Sequence, residues 1–256
     1  MAEKSAYKIN ILLVLKDAVV DLYNHMGYTM LISFLWFFTG FILPLASAGY
    51  LTNQIYQTSG DIPSWLITIL LLSVVPYTAL IVGPVNTALF YQMSRVIENE
   101  AEFKGLWIGL RKYYWKSAGI YALYTVTLFF TLADLYICFS IAEHLLLRFI
   151  GFFLFYLLFF LLLAGIYIPG FIVLQENNTW KKVYRKTILL TLDNTLVTLG
   201  MQLILLILGL GCTVIGPLLI FFYGGFLQIA GIRLFHALMK KYPDPVAEEA
   251  TVSAGE

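Results

Sequence analysis

The sequence predicts an all-α protein, a polytopic membrane bundle of six transmembrane helices with further helices at the cytoplasmic interface. Hydrophobic residues make up 60% of the chain and charged residues only 12%, whereas soluble domains average roughly 25% charged residues. The apolar residues form long uncharged segments, and the mean hydropathy is +0.83. A water-soluble fold could not bury so much apolar surface, so lipid should surround most of the chain. The same composition argues against a nucleic-acid-binding protein, a disulfide-stabilised domain and a disordered chain.

Six segments are long enough to cross a bilayer, which takes roughly 20 mostly apolar residues for a hydrocarbon core of about 30 Å. The predicted spans lie within a membrane domain of residues 29–241 and are 29–51, 64–82, 117–141, 149–174, 195–214 and 216–238. Very short links join spans three to four and five to six. Each of these pairs should therefore pack as an antiparallel hairpin.

The segments that flank the membrane domain differ from it in character. In residues 1–28, apolar side chains recur at helical spacing and predict an amphipathic helix on the cytoplasmic surface. These side chains are Ile9, Leu12, Leu13, Val19 and Leu22. Lys16 and Asp17 interrupt the apolar stretch, which excludes a signal peptide. Residues 242–256 are acidic and rich in small residues, which is typical of a disordered tail.

Span two continues as an apolar stretch beyond Gly83-Pro84. A single helix over residues 64–95 would be about 48 Å long at 1.5 Å per residue, so we expect a kink or break at Pro84. Pro169-Gly170 occupies a similar place near the end of span four. Each proline precedes a basic, aromatic segment, at residues 106–116 and 180–186.

These two proline-containing connections allow two interpretations. Proline-interrupted helices at matching places in two halves are typical of a central transport site, which would make them parts of a parallel repeat. Alternatively, every cytoplasmic loop needs Lys and Arg for insertion and Trp and Tyr for anchoring. The second interpretation is the simpler one, and the first remains open.

The basic residues predict the orientation of the chain. Of the 16 Lys and Arg residues, all except Arg148 fall on the same side of the predicted spans. The positive-inside rule therefore places both termini in the cytoplasm of a multi-pass protein of the inner cell membrane. Seven of these side chains are candidates for contact with a cytoplasmic partner or with anionic headgroups: Lys104, Arg111, Lys112, Lys181, Lys182, Arg185 and Lys186.

The most recognisable pattern runs from Ile81 to Ala118. It consists of Val-Gly-Pro at 82–84, Thr-Ala-Leu-Phe-Tyr at 87–91, an acidic turn at 98–102 and a basic, aromatic run at 110–117. This pattern resembles the YesL-like family of bacterial membrane proteins, which is catalogued as a domain of unknown function. The resemblance extends over roughly residues 25–240. It implies a polytopic membrane protein whose relatives are often encoded beside oligosaccharide ABC-transporter permeases and glycoside hydrolases.

The first span departs from that family pattern. Family members usually carry an Asn-Leu-Leu-Trp type sequence and a proline in the span that leads directly to Gly-Pro. Here Trp36 and Pro44 lie in one span, Gly83-Pro84 ends another, and Ser33 stands where Asn would be expected. Compared with the family pattern, we therefore expect an extra crossing near the N-terminus.

Two sets of residues could carry chemistry inside the membrane. Asp134 lies deep in span three, and Arg148 begins span four, so they could form a structural ion pair or mark a substrate or proton site. The polar side chains of Asn86, Thr87, Gln202 and Gln228 could line a path for a ligand or join helices by hydrogen bonds. Cys138 and Cys212 lie toward the outer ends of apolar spans, where they could be buried free thiols or form a disulfide.

The sequence contains no catalytic, phosphate-binding, metal-binding or redox motif of the common types. We therefore expect no cofactor, no metal and no enzymatic activity. The leading hypothesis is an accessory or structural subunit that lies in the lipid bilayer and binds another integral membrane protein, with an oligosaccharide ABC importer as the candidate, or that self-associates. The competing hypothesis is a small-solute transporter or channel with a site near Pro84 and Pro169.

Overall fold

The computed structural model describes residues 9–60, 63–102, 104–141, 144–175 and 178–242. The described residues form helices joined by turns, with no strand among them. Six helices are long and apolar enough to cross a membrane: Met26–Thr58, Trp65–Ile97, Gly105–Ser140, Leu145–Val173, Thr195–Val214 and Gly216–Met239. This confirms the predicted all-α, six-span fold. The predicted tail at 243–256 lies outside the described residues.

Most of the spans combine α-helix with short segments of another helix type. The α-helical parts are Met26–Phe37, Leu43–Ser59, Ser64–Tyr77, Gly83–Ile97, Gly105–Tyr136, Leu145–Ala164, Ile168–Val173, Thr195–Val214, Gly216–Leu218 and Gly224–Met239. Four segments are π-helical, namely Phe38–Ile42, Thr78–Val82, Ile137–Ile141 and Leu219–Tyr223, and Gly165–Tyr167 is a 3₁₀ turn. The first three spans contain 33, 33 and 36 residues. At 1.5 Å per residue they are about 50 Å long, so their ends extend beyond the hydrocarbon core.

At neither proline does the helix end, so of the kink or break expected at Pro84 the structure excludes the break. The π-helical segment Thr78–Val82 comes directly before Gly83-Pro84, and the 3₁₀ turn Gly165–Tyr167 comes directly before Ile168-Pro169. Proline lacks an N–H and crowds the preceding turn. The chain accommodates both prolines through a local change of helix type, and the span continues on the other side.

A surface helix, Ile11–Asn24, comes before span one and packs along the end of span six. The Asn10 side chain caps its first turn by accepting a hydrogen bond from the Leu12 N–H at 3.0 Å. The face that packs against the bundle is not the predicted apolar stripe, most of which points away from it. Val14, Ala18 and Asp21 are buried, whereas Leu12, Leu13 and Val19 are exposed.

A second surface helix, Trp180–Asp193, connects spans four and five and is called the connecting helix below. Its buried face consists of Val183, Thr187, Leu190 and Thr191. The other basic, aromatic segment, at residues 106–116, forms the first turns of span three without interruption. The two connections that resembled a repeat therefore differ in structure.

Burial is concentrated at the end of the bundle that carries most of the Lys and Arg, which we call the basic side. In Gly83–Ile97, ten of 15 residues are buried, and all six residues of Ile168–Val173 are buried. By contrast, no described side chain of Leu43–Ser59, at the opposite side, is buried. The tightly packed core therefore lies towards the basic side.

Candidate functional site

The polar side chains in the core join three spans. Gln228 of span six donates from Nε2 to Asn86 Oδ1 at 2.7 Å, and Asn86 Nδ2 donates to the Tyr121 hydroxyl at 3.1 Å. Gln228 is only 5% exposed and Tyr121 only 8%. Because hydrocarbon offers no alternative partner, these bonds fix the relative rotation of spans two, three and six.

A small cavity of about 140 Å³ lies beside this network, at the helix irregularity of span four. Asn86 and Gln228 contribute its polar lining, and Pro169, Trp36 and Phe90 contribute apolar lining. It has room for a few water molecules, and it is smaller than the roughly 300–1,000 Å³ typical of sites for organic ligands.

Tyrosine hydroxyls donate hydrogen bonds to backbone carbonyls in the helical turns before Pro44 in span one and before Pro84 in span two. Tyr114 donates to the carbonyl of Leu80 at 3.1 Å, the residue four positions before Pro84. Tyr77 donates to the carbonyl of Thr39, five positions before Pro44 and within a π-helical segment. Since proline has no N–H to offer these carbonyls, a side chain from another span satisfies them.

Gln202 donates to carbonyls near the irregularity of span four. Its Nε2 bonds to the carbonyls of Leu162 and Leu163, both at 3.1 Å, shortly before the 3₁₀ turn. Thr87 is fully buried and donates to the Gly83 carbonyl of its own helix at 2.9 Å. Of the four predicted lining residues, Asn86 and Gln228 meet at the small cavity, while Gln202 and Thr87 lie elsewhere.

Several glycines allow this close helix packing. A Cβ at Gly83 would lie 2.5 Å from Tyr121 Cγ, and one at Gly170 would lie 2.6 Å from Phe235 Cδ2. A Cβ at Gly225 would lie 2.6 Å from the backbone oxygen of Thr29. Gly83 and Gly170, expected to mark helix breaks, are points of helix contact in the structure.

The structure does not bring Asp134 and Arg148 together. Both residues are described, both are exposed, and no hydrogen bond or ion pair joins them. Near these charges, spans three and four contact each other through Cys138 and Phe139, which lie against Gly151. The predicted pair is therefore absent from this structure, because the sequence separation of the two charges does not determine which face of each helix they occupy.

A different ion pair joins the N-terminal surface helix to span six at the basic side. Arg233 of span six donates from Nε and Nη2 to the two carboxylate oxygens of Asp21, at 2.5 and 2.7 Å. The Asp21 side chain is 10% exposed. This two-point contact fastens the N-terminal surface helix to span six. Sequence reasoning missed it because the two residues lie 212 positions apart.

The seven predicted contact residues are all exposed, and they lie at the start of span three and on the connecting helix. Lys186 also donates to Gln175 Oε1 at 2.7 Å, and Lys112 lies 5.1 Å from the ring centre of Tyr113. Burial raises the pKa of Tyr184 to about 12. Its hydroxyl therefore stays protonated at neutral pH and donates to the Ile120 carbonyl, which holds the connecting helix against span three.

The described residues provide no cluster of three His, Cys, Asp or Glu side chains that could hold a metal ion. Cys138 and Cys212 are both free thiols. No family model, no curated protein and no solved structure matches the chain. The class of the protein follows from its fold: it is an α-helical integral membrane protein with six spans. The resemblance to the YesL-like family stays a prediction.

Proposed function

We propose that the chain is a non-catalytic accessory or structural subunit that binds another integral membrane protein. The observation that supports this best is the use of the polar side chains inside the bundle. Asn86, Gln228 and Gln202 are engaged in hydrogen bonds between spans. A rigid, internally bonded core is suited to a subunit that presents fixed surfaces, and the cavity within it is small.

Two surfaces are available to a partner. On the basic side, the seven Lys and Arg side chains are exposed. On the opposite side, the described side chains of Leu43–Ser59 remain unburied by the rest of the chain. The resemblance to the YesL-like family makes an oligosaccharide importer of the inner membrane the first partner to test, with both termini of this chain in the cytoplasm.

The test is purification of the tagged chain from native membranes after cross-linking in the cell. We expect one other integral membrane protein at a fixed ratio. The double variant Lys181→Glu, Arg185→Glu should lower its recovery at least fivefold. The control Lys16→Glu, Lys240→Glu changes two other exposed residues and should leave recovery unchanged. Repeated recovery of the chain alone would contradict the proposal.

The cavity beside Pro169 favours one alternative, a transporter or channel for a small solute. Its polar lining, Asn86 and Gln228, lies in the middle of the bundle next to a helix irregularity, as in known transporters. Reconstituted liposomes test this alternative directly. Solute flux that Gln228→Leu abolishes and Gln57→Leu, at an exposed position, preserves would favour transport over the subunit proposal.

A further inference from the structure

A second and larger depression lies at membrane depth, between spans four, five and six. It has a volume of about 430 Å³, within the range of pockets that hold organic ligands. We call it the lateral groove. Its walls are mostly apolar and include Leu162, Ile166, Leu199, Leu203 and Leu206. Leu203 and Leu206 are about half exposed, so the groove is open to the surroundings of the bundle.

The lateral groove lies at the same depth in the membrane as the acyl chains of one leaflet. Span five begins at Thr195, so at 1.5 Å per residue Leu199 and Leu206 lie about 6 and 17 Å along it. Half of a hydrocarbon core is about 15 Å thick. The groove therefore extends from the basic side towards the bilayer midplane.

The polar side chains of the lateral groove are already engaged. Gln202 donates to two carbonyls of span four, and the Tyr223 hydroxyl donates to the Leu205 carbonyl at 3.0 Å. The surface offered to an occupant is thus aliphatic and aromatic. Such a surface favours a hydrocarbon chain and disfavours a sugar or an ion.

The charge on the connecting helix indicates the headgroup. This helix, Trp180–Asp193, runs between the basic-side ends of spans four and five, which flank the groove, and its first half, which follows span four, exposes Lys181, Lys182 and Arg185. Basic side chains at this level of the membrane attract anionic lipids. We propose that the lateral groove binds one acyl chain of an anionic phospholipid from the leaflet on the basic side, with its phosphate near the connecting helix.

Native mass spectrometry tests this proposal on the full-length, delipidated protein in detergent micelles with equimolar phosphatidylglycerol and phosphatidylcholine. We expect one phosphatidylglycerol retained per chain. Leu203→Trp fills the groove and should lower retention at least fivefold. Leu208→Trp is the matched control, because Leu208 is also exposed and lies outside the groove lining, about 140° round the same helix.

A second set of variants tests recognition of the lipid headgroup and binding of the acyl chain separately. Replacing Lys181, Lys182 and Arg185 with Gln should make retention of the two lipids equal. Leu206→Trp repeats the groove-filling test, and circular dichroism checks that each variant is folded. No lipid on the wild-type protein, or equal retention by wild type and a folded Leu203→Trp, would overturn the proposal. Equal retention of both lipids by the wild type would overturn the anionic assignment.

Discussion

Gly225→Ala tests how closely spans one and six pack. The new Cβ would lie 2.6 Å from the Thr29 backbone oxygen and 2.6 Å from Thr29 Cγ2, where ordinary contacts begin at 3.4 Å. A backbone oxygen cannot rotate away, so the two helices must separate by several tenths of an ångström. That separation also disturbs the hydrogen bond from the Gly225 N–H to Ser33 Oγ, which is 2.6 Å long.

The expected cost follows from these two effects. Overpacking of a close contact costs about 1–3 kcal/mol, and a lost hydrogen bond costs about 1 kcal/mol. We therefore expect about 3 kcal/mol of destabilisation. At roughly 2–4 °C per kcal/mol for a chain of this size, the melting temperature should fall by about 6–12 °C.

The assay is thermal unfolding of the purified protein in detergent, followed by circular dichroism. Gly211→Ala is the matched control, because a Cβ at Gly211 meets no atom within 4 Å, and its melting temperature should stay close to that of the wild type. Ser33→Ala isolates the hydrogen bond and should show about a third of the effect. If Gly225→Ala were as stable as Gly211→Ala, the packing described for spans one and six would be refuted.

Three further predictions concern other contacts. Tyr114→Phe removes the donor to the Leu80 carbonyl and should lower stability by about 0.5–1.5 kcal/mol in the same assay, whereas Tyr50→Phe, at an exposed tyrosine, should change nothing; equal effects would argue against the carbonyl bond. Asp21→Asn weakens the pair with Arg233 and should speed tryptic cleavage at Lys16 severalfold, because the surface helix detaches more often; cleavage no faster than in Asp17→Asn would exclude this fastening. Alkaline phosphatase fused after Lys241 should be inactive, and the same reporter inserted between spans three and four should be active; the reverse pattern would invert the proposed orientation.

The spans could be predicted because membrane insertion depends on the length of each apolar segment, and that length can be read directly from the sequence. Their ends could not, since hydropathy marks only the apolar part of helices such as Trp65–Ile97 that continue beyond it. Pro84 was expected to kink or break its helix, and the helix continues through it. Tyr114 of another span donates to the Leu80 carbonyl four residues before Pro84, a contact that the sequence around Pro84 does not indicate.

Pairings between spans were the least predictable part of the candidate site. Asn86 and Gln228 were recognised as candidates, but their hydrogen bond depends on the rotation of two helices 142 residues apart in sequence. The proposed Asp134–Arg148 pair relied on proximity along the chain, whereas the observed Asp21–Arg233 pair joins its two ends. Short-range sequence patterns carry no information about either rotation or such distant contacts.

The central claim is that the polar core joins helices and does not form a water-filled path. Gly231 lines the small cavity, and a Cβ there would meet Phe90 at an acceptable 3.6 Å. The decisive measurement is therefore thiol labelling of Gly231→Cys, with Cys138 and Cys212 replaced by Ala, using a small charged reagent on either side of the membrane. Our account predicts no labelling over minutes from either side. Rapid labelling from one or both sides would contradict it and favour a transport pathway.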